Sequence, residues 1–227
     1  MGYTLIDLFN KGGLLMWPLL LCSILAAAAI IERSVFFLRI RQNFRRFVAD
    51  LVALVANRRL QAAKDFLRNR PDPASVISGA MLANLDLSAS LRQEVMQRVG
   101  DEQVTRLNAR VGLLSTLAHL SPLLGLFGTV TGMIRAFRQI EALGGLADVA
   151  ALAGGIWEAL LTTAFGLTIG VPAAAAYHYF ENLAARRASE MQSIVSILNE
   201  TLGIEPGDLE VAGRPVQTVG EPDDAQI

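Results

Sequence analysis

Residues 111–134 read VGLLSTLAHLSPLLGLFGTVTGMI, and residues 149–180 read VAALAGGIWEALLTTAFGLTIGVPAAAAYHYF. The first of these stretches contains no Asp, Glu, Lys or Arg, and the second contains only Glu158. A third apolar stretch, residues 12–31, also has no charged residue. A helix needs about 20 consecutive, mostly apolar residues to cross the hydrocarbon core of a bilayer. The three stretches therefore predict an all-α membrane protein with three transmembrane helices.

The composition of the whole chain agrees with that class. Of its 227 residues, 52% are hydrophobic and only 18% are charged, whereas an average soluble domain has about 25% charged residues. The single cysteine, Cys22, lies within the first apolar stretch. One cysteine can form neither an intramolecular disulfide nor a cysteine-based metal site. We expect no metal and no other cofactor.

A secretory signal peptide is the competing interpretation of the first apolar stretch, because Ala26 and Ala28 form a passable small-x-small cleavage site. Signal peptides, however, have a basic N-terminal region and an apolar run of roughly 7–15 residues. Here Asp7 accompanies Lys11, and the apolar run extends over residues 12–31. We therefore expect an uncleaved membrane anchor.

The basic residues determine the expected orientation. The positive-inside rule places the more basic flank of a span in the cytoplasm, and only Lys11 precedes the first span. We expect a periplasmic N-terminus and a cytoplasmic C-terminus, where Arg186 and Arg187 follow the third span. Arg135 and Arg138 go against the rule but are outnumbered. The arginines that follow the first span are Arg33, Arg39, Arg41, Arg45 and Arg46.

Between the first two spans the sequence predicts amphipathic helices, because apolar residues recur at three- and four-residue spacing. The prolines Pro71 and Pro73 divide this segment into two helical parts. The apolar pattern that leads up to Val111 predicts a long cytoplasmic helix that continues into the second span. Arginines in this segment are interleaved with acidic residues, which favours a solvated helix surface over a nucleic-acid interface.

The end of the chain is rich in Gly, Pro and acidic residues and has no apolar period, which is typical of disorder. In chain order, the predicted segments are a short periplasmic N-terminus (1–11), the first span (12–38), a cytoplasmic helical domain (39–110), the second span (111–134), a short periplasmic loop (135–148), the third span (149–180), a cytoplasmic helix (181–203) and a disordered tail (204–227).

Small residues follow one face of the second span and one face of the third. In lipid, small residues let two helix backbones approach closely, and packing replaces the hydrophobic force that is absent there. We therefore predict that these two faces pack together. They comprise Ser121, Gly125, Gly128 and Gly132 in the second span, and Gly155, Ala159, Thr162, Gly166, Gly170 and Ala173 in the third.

Thr129 and Thr163 lie beside these faces, and Thr162 lies on one of them. A threonine in a membrane helix commonly donates to a carbonyl one turn earlier in its own helix, which is the purely structural interpretation. A hydroxyl can also both donate and accept hydrogen bonds, as a water wire or a bound cation requires. The three threonines are therefore candidates for an ion pathway.

Glu158 is the other candidate for the ion pathway. A carboxylate in hydrocarbon is costly, so an intramembrane acid usually faces a polar interior or binds a proton. Such a group can load and release a proton. The alternative is that Glu158, next to Trp157, lies at the outer headgroup boundary. His119, near Pro122, has a structural role as its simpler interpretation.

Two stretches resemble the signatures of a known family. Residues 120–133, LSPLLGLFGTVTGM, are similar to the second-span signature of the ExbB/TolQ/MotA proton-channel family. Residues 155–167, GIWEALLTTAFGL, followed by Val171-Pro172-Ala173, look like its third-span signature. The three-span layout resembles the ExbB and TolQ type, because the flagellar stator subunit has four spans.

The resemblance implies a homopentamer that encloses single transmembrane helices of an ExbD/TolR-like partner. The family's pore threonines would correspond to Thr129 and Thr163, and its third-span glutamate to Glu158. The essential proton-carrying aspartate would lie on the partner helix. Such complexes lie in the inner membrane of Gram-negative bacteria and energise a TonB- or TolA-like protein that spans the periplasm. One departure is His178, which stands where the family pattern has asparagine.

Two other function classes compete with an ion-driven motor. A non-conducting oligomeric scaffold or adaptor would use the small-residue faces for assembly alone. An enzyme is not expected, because the sequence has no HExxH, no nucleophile elbow and no P-loop. The sequence leaves open which process is energised. It also leaves open the choice between protons and sodium, although a lone glutamate with threonine hydroxyls favours protons.

Overall fold

The computed structural model describes residues 12–142 and 149–204, and for residues 149–152 it describes the backbone alone. The predicted N-terminus (1–11), residues 143–148 of the predicted loop (135–148) and nearly all of the predicted tail (204–227) lie outside the described residues. Every helix or strand in the described part is an α-helix. The helices are α1 (Met16–Arg39), α2 (Phe44–Ala56), α3 (Leu60–Leu67), α4 (Pro73–Ala83), α5 (Ala89–Asn108), α6 (Val111–Ala142) and α7 (Val149–Leu202).

Three stretches of the described chain are long and apolar enough to cross a membrane, and they contain α1, α6 and α7. The prediction of an all-α membrane protein with three spans is confirmed. Helices α6 and α7 extend beyond the predicted ends of their spans at residues 134 and 180. The limits of the membrane-embedded part within each helix stay predictions.

The segment between the first two spans differs from the prediction of two helical parts. It contains the four helices α2 to α5. Arg58, with φ 58°, separates α2 from α3, and α4 begins at Pro73, within the predicted proline break. The expected continuous helix into the second span is interrupted, because Arg110 has φ 59° between α5 and α6. A left-handed conformation cannot continue a right-handed helix.

The chain forms two compact units. The membrane unit holds residues 12–42, 71–73, 102–142 and 149–189, and the second unit holds residues 43–70, 74–101 and 190–204. In the second unit Phe47 of α2 stacks on Phe66 of α3, with ring centroids 6.0 Å apart. The Arg70 guanidinium lies 4.0 Å from the centroid of the Phe66 ring.

The membrane unit is built from α1, α6 and α7. The buried residues of α1 recur at three- and four-residue spacing, so that one face of the helix packs inward. Phe37 of α1 stacks on Phe180 of α7 at 5.6 Å between centroids. Large apolar side chains cover the opposite face of α1, as expected for contact with lipid. The apolar core comprises Met16, Leu19, Cys22, Ala26, Leu117, Ile169 and Ala173.

A charged cluster joins α1 to the break between α5 and α6. Glu32 Oε1 lies 2.6 Å from Arg33 Nη2 and 2.7 Å from Arg110 Nη1. Arg33 is buried, with 5% of its side chain exposed, and its Nη1 donates to the carbonyl of Arg106 at 3.4 Å. The cluster therefore neutralises the buried guanidinium of Arg33. It also attaches Arg110, whose backbone interrupts the helix, to α1.

Replacing the carboxylate of this cluster tests its contribution to stability. Glu32→Ala leaves the buried Arg33 without its ion-pair partner, which costs about 2 kcal/mol. This is less than for a fully buried pair, because 36% of the Glu32 side chain is exposed. The midpoint of thermal unfolding in detergent should fall by about 5 °C.

Glu181→Ala is the matched control, because Glu181 pairs with His178 at the surface of α7. An exposed pair contributes little, so its midpoint should stay within about 2 °C of the wild type. Equal losses in the two variants would contradict the role assigned to the buried cluster.

Candidate functional site

Helices α6 and α7 run antiparallel, and their backbones touch at Gly125 and Gly166. A methyl group added at Gly125 would lie 2.9 Å from the carbonyl oxygen of Thr162 and 3.0 Å from Cα of Thr163. A methyl group added at Gly166 would lie 3.1 Å from Cα of Gly125. The obstructing atoms belong to the main chain, which cannot rotate away. Only glycine at both positions therefore allows this approach.

The same register continues along both helices. A methyl group at Gly132 would lie 3.1 Å from Cβ of Ala159, and one at Gly128 would lie 2.6 Å from Cβ of Thr162. Ser121 is fully buried, and its carbonyl oxygen faces Gly166. The structure thus brings the two predicted small-residue faces together in one interface, while Ala173 lies in the apolar core with residues of α1.

Two further residues of α6, Ala136 and Pro122, extend this interface. Gly155 faces Ala136, and Gly170 faces Pro122. Neither Ala136 nor Pro122 was assigned to a face from the sequence. Ala136 continues the four-residue spacing after Gly132, but the prediction placed it in a periplasmic loop. The proline ring lies against a glycine, a contact that spacing along one helix does not reveal.

The three candidate threonines make different hydrogen bonds. Thr163 Oγ1 crosses the interface and donates to the Gly125 carbonyl at 3.0 Å. Thr162, with 2% exposure, donates to Ala159 at 2.8 Å and lies 3.4 Å from the same Gly125 carbonyl. Thr129 is partly exposed and donates to the carbonyl of Leu126 in its own helix at 2.6 Å. The Thr163 hydroxyl therefore links the two helices, whereas the Thr129 hydroxyl bonds within its own helix.

Glu158 is paired with a charge on the facing helix. Its Oε1 lies 2.7 Å from Nη2 of Arg135. The Glu158 side chain is 23% exposed and that of Arg135 is 55% exposed. On another side, a methyl group added at Gly13 would collide with the Glu158 carboxylate, and Gly13 has φ 70°, which favours glycine. The carboxylate therefore lies between α6 and the segment that precedes α1.

Arg135 is the residue of this site that sequence reasoning missed. From the sequence it counted only as an exception to the topology rule. Gly132 and Ala159 face each other, and that register places Arg135, about one turn beyond Gly132, beside Glu158. The signal was present as two opposite charges, but it could be used only once the register of the helices was known.

The two histidines that the sequence analysis singled out, His119 and His178, lie elsewhere on α6 and α7. Tyr177 donates to Glu181 Oε1 at 2.7 Å, and His178 Nδ1 lies 3.4 Å from Glu181 Oε2. His119 Nδ1 lies 2.7 Å from the carbonyl of Ser115 in its own helix. In residues 12–142 and 149–204, no group of three or more His, Cys, Asp or Glu residues could hold a metal ion.

Comparisons with known proteins point to one family. Residues 70–193 match the model of the MotA/TolQ/ExbB proton channel family. This range includes the whole of α6 and the part of α7 that contains Glu158, Thr162 and Thr163. The chain is 34% identical over 199 residues to the putative biopolymer transport protein ExbB-like 1 of Synechocystis sp., which covers 86% of this chain and 77% of that relative.

Two further relatives carry different names. The chain is 30% identical over 200 residues to the biopolymer transport protein exbB1 of Vibrio cholerae, which covers 86% of this chain and 87% of the relative. It is 34% identical over 126 residues to the Tol-Pal system protein TolQ of Pseudomonas aeruginosa, which covers 49% of this chain and 54% of the relative.

The contact between α6 and α7 can be tested by adding single methyl groups. Gly125→Ala and Gly166→Ala force the two main chains apart, so both variants should lower the midpoint of thermal unfolding in detergent by about 5 °C or more. Gly112→Ala and Gly154→Ala are matched controls in the same two helices, because a methyl group there would meet no atom within 4 Å.

The controls should be neutral or slightly stabilising, since alanine is the better helix former by about 1 kcal/mol. If Gly125→Ala and Gly166→Ala behaved like these controls, the two helices would not be in backbone contact.

Proposed function

The chain belongs to the MotA/TolQ/ExbB proton channel family, and we propose that it is the channel-scaffold subunit of an inner-membrane motor driven by the proton motive force. It is a multi-pass inner-membrane protein of a family that acts in biopolymer transport. In the proposal, five copies surround single-span helices of an ExbD/TolR-like partner. The assembly energises a TonB- or TolA-like protein that spans the periplasm. The chain itself has no enzymatic activity.

One observation carries this proposal: polar groups lie along a helix pair that is otherwise packed through small residues. Thr163 and Thr162 lie within the α6–α7 interface, and Glu158 lies in the same helix as both. Thr163 is five residues from Glu158, a rise of roughly 7.5 Å along α7. Hydroxyls and a carboxylate at such spacing, with water between them, can pass a proton from one to the next.

The proposed orientation places the end of α7 that carries Glu158 on the periplasmic side. The N-terminus is then periplasmic and the C-terminus cytoplasmic, as the arginines after the first span favour. Protons would reach Glu158 first, pass the threonines and leave towards the cytoplasm. The aspartate that such a motor needs would come from the partner helix, because this chain has no aspartate in α1, α6 or α7.

The relatives' names support two kinds of process. The Vibrio relative is named for biopolymer transport and the Pseudomonas relative for the Tol-Pal system. Both names fit a motor that works across the envelope. The higher coverage of the Vibrio relative favours a transport role for this chain.

A non-conducting scaffold is the second candidate, and the hydrogen bonds of the threonines favour it. Thr129 donates to its own helix, and Thr163 donates to the Gly125 carbonyl. Each hydroxyl therefore has a partner without any water or ion. In this alternative the small-residue faces serve assembly alone, and polar substitutions along them leave transport unchanged.

Substitution of Thr163 separates the two candidates. Thr163→Val keeps the shape of the side chain but removes the hydroxyl. In liposomes that contain the complex copurified with this chain, the rate of proton uptake should fall roughly tenfold or more, the effect of one lost hydrogen bond in the path. Thr163→Ser keeps the hydroxyl and should retain most of the flux.

Thr168→Val is the matched control, because Thr168 lies on the exposed face of the same helix and donates to Ala164 at 2.7 Å. It should conduct like the wild type. Light scattering should find the same oligomer in all variants. Full proton uptake by an assembled Thr163→Val complex would exclude Thr163 from the path and favour the scaffold.

A further inference from the structure

The guanidinium of Arg135 is paired with Oε1 of Glu158, an oxygen that a metal cation could otherwise bind. We infer that Arg135 determines the ion specificity of the path: it keeps Na⁺ from the Glu158 carboxylate while leaving that carboxylate accessible to protons. This inference rests on the proposed function, because it assigns a selectivity to the same path. The observation that supports the inference is the ion pair between Arg135 and Glu158.

The position of Arg135 is fixed by the packing on either side. The contact of Gly132 with Ala159 and the contact of Ala136 with Gly155 bracket the pair, one turn apart along the interface. Arg135 Nε also lies 3.4 Å from the Thr131 carbonyl of its own helix and donates to it. The register of the two helices therefore places the guanidinium against Glu158, where the ion pair and the bond to Thr131 hold it.

One oxygen of the carboxylate, Oε1, has little room for another ligand. Arg135 Nη2 lies 2.7 Å from Oε1, and the main chain at Gly13 approaches the same oxygen from another side. Oε1 is buried, and its ion pair with Arg135 compensates its charge. A hydrated cation could reach this oxygen only by displacing the guanidinium, whereas a proton needs no such space.

The chemistry of the two ions leads to the same result. Sodium must replace its hydration shell with several oxygen ligands, and the guanidinium that lies beside Glu158 carries donors only and offers none. An arginine stays charged at every physiological pH, so it repels a cation at all times. A proton needs a single carboxylate oxygen and no further ligands, so it can add to Oε2 while Arg135 stays paired with Oε1.

The test uses the complete complex, copurified with this chain and reconstituted in liposomes. A fixed pH gradient drives proton uptake, while choline is replaced by Na⁺ at constant ionic strength. Wild-type proton uptake should not change with Na⁺, and uptake of ²²Na⁺ should equal that of empty liposomes. In Arg135→Gln, Na⁺ should slow proton uptake at least threefold, or ²²Na⁺ uptake should rise at least fivefold.

Two variants separate specificity from structure. Arg135→Lys keeps the positive charge and should remain insensitive to Na⁺. Arg138→Gln removes an exposed arginine from the next turn of α6 and should behave like the wild type. A merely structural role for Arg135 would change assembly or the total flux, but it would not make the flux depend on Na⁺.

The outcomes are distinct. An Arg135→Gln complex that conducts protons, ignores Na⁺ and takes up no ²²Na⁺ overturns the inference and leaves the proposed function standing. A wild-type complex that takes up neither ion overturns the proposed function as well. Even if Arg135→Gln does not assemble, ²²Na⁺ uptake by the wild type above that of empty liposomes overturns the inference.

Discussion

The backbone contact between α6 and α7 at Gly125 and Gly166 is the constraint on which the rest of the membrane unit depends. Lipid tails are as apolar as leucine, so no hydrophobic force holds two helices together in a bilayer. What remains is dispersion between surfaces that fit closely, and here the surfaces are the main chains themselves. The contact fixes the register of the two helices. The Thr163 bond to Gly125 and the Arg135 pair with Glu158 both follow from that register.

Two carboxylates of the apolar helices, Glu32 and Glu158, are each paired with arginine. Glu32 in α1 pairs with Arg33 and Arg110, and Glu158 in α7 pairs with Arg135. An uncompensated charge in this environment is costly, so each carboxylate needs its cation. The pairing of Arg135 also accounts for an arginine that goes against the predicted orientation of the spans. Its position is required by a contact within the protein.

Sequence reasoning found the features that depend on local pattern. The three spans follow from apolar length, and the two small-residue faces follow from helical spacing. The start of α4 follows from the backbone restrictions of Pro73. The break at Arg110 could not be predicted, because the apolar pattern passes through it and arginine rarely adopts a positive φ. That conformation coincides with an ion pair to Glu32, a residue distant in sequence. The different hydrogen bonds of Thr129 and Thr163 likewise depend on tertiary contact.

The central claim is that water reaches the polar side chains along α6 and α7 in the assembled complex, and cysteine accessibility measures this most directly. Cys22→Ser gives a chain without cysteine, into which Thr129→Cys, Thr163→Cys or Leu21→Cys is introduced. Leu21 lies on the exposed apolar face of α1. A small water-soluble thiol reagent should modify the cysteines at positions 129 and 163 much faster than the cysteine at position 21. Equal protection of all three cysteines would mean a dry interface and would contradict an ion path through this protein.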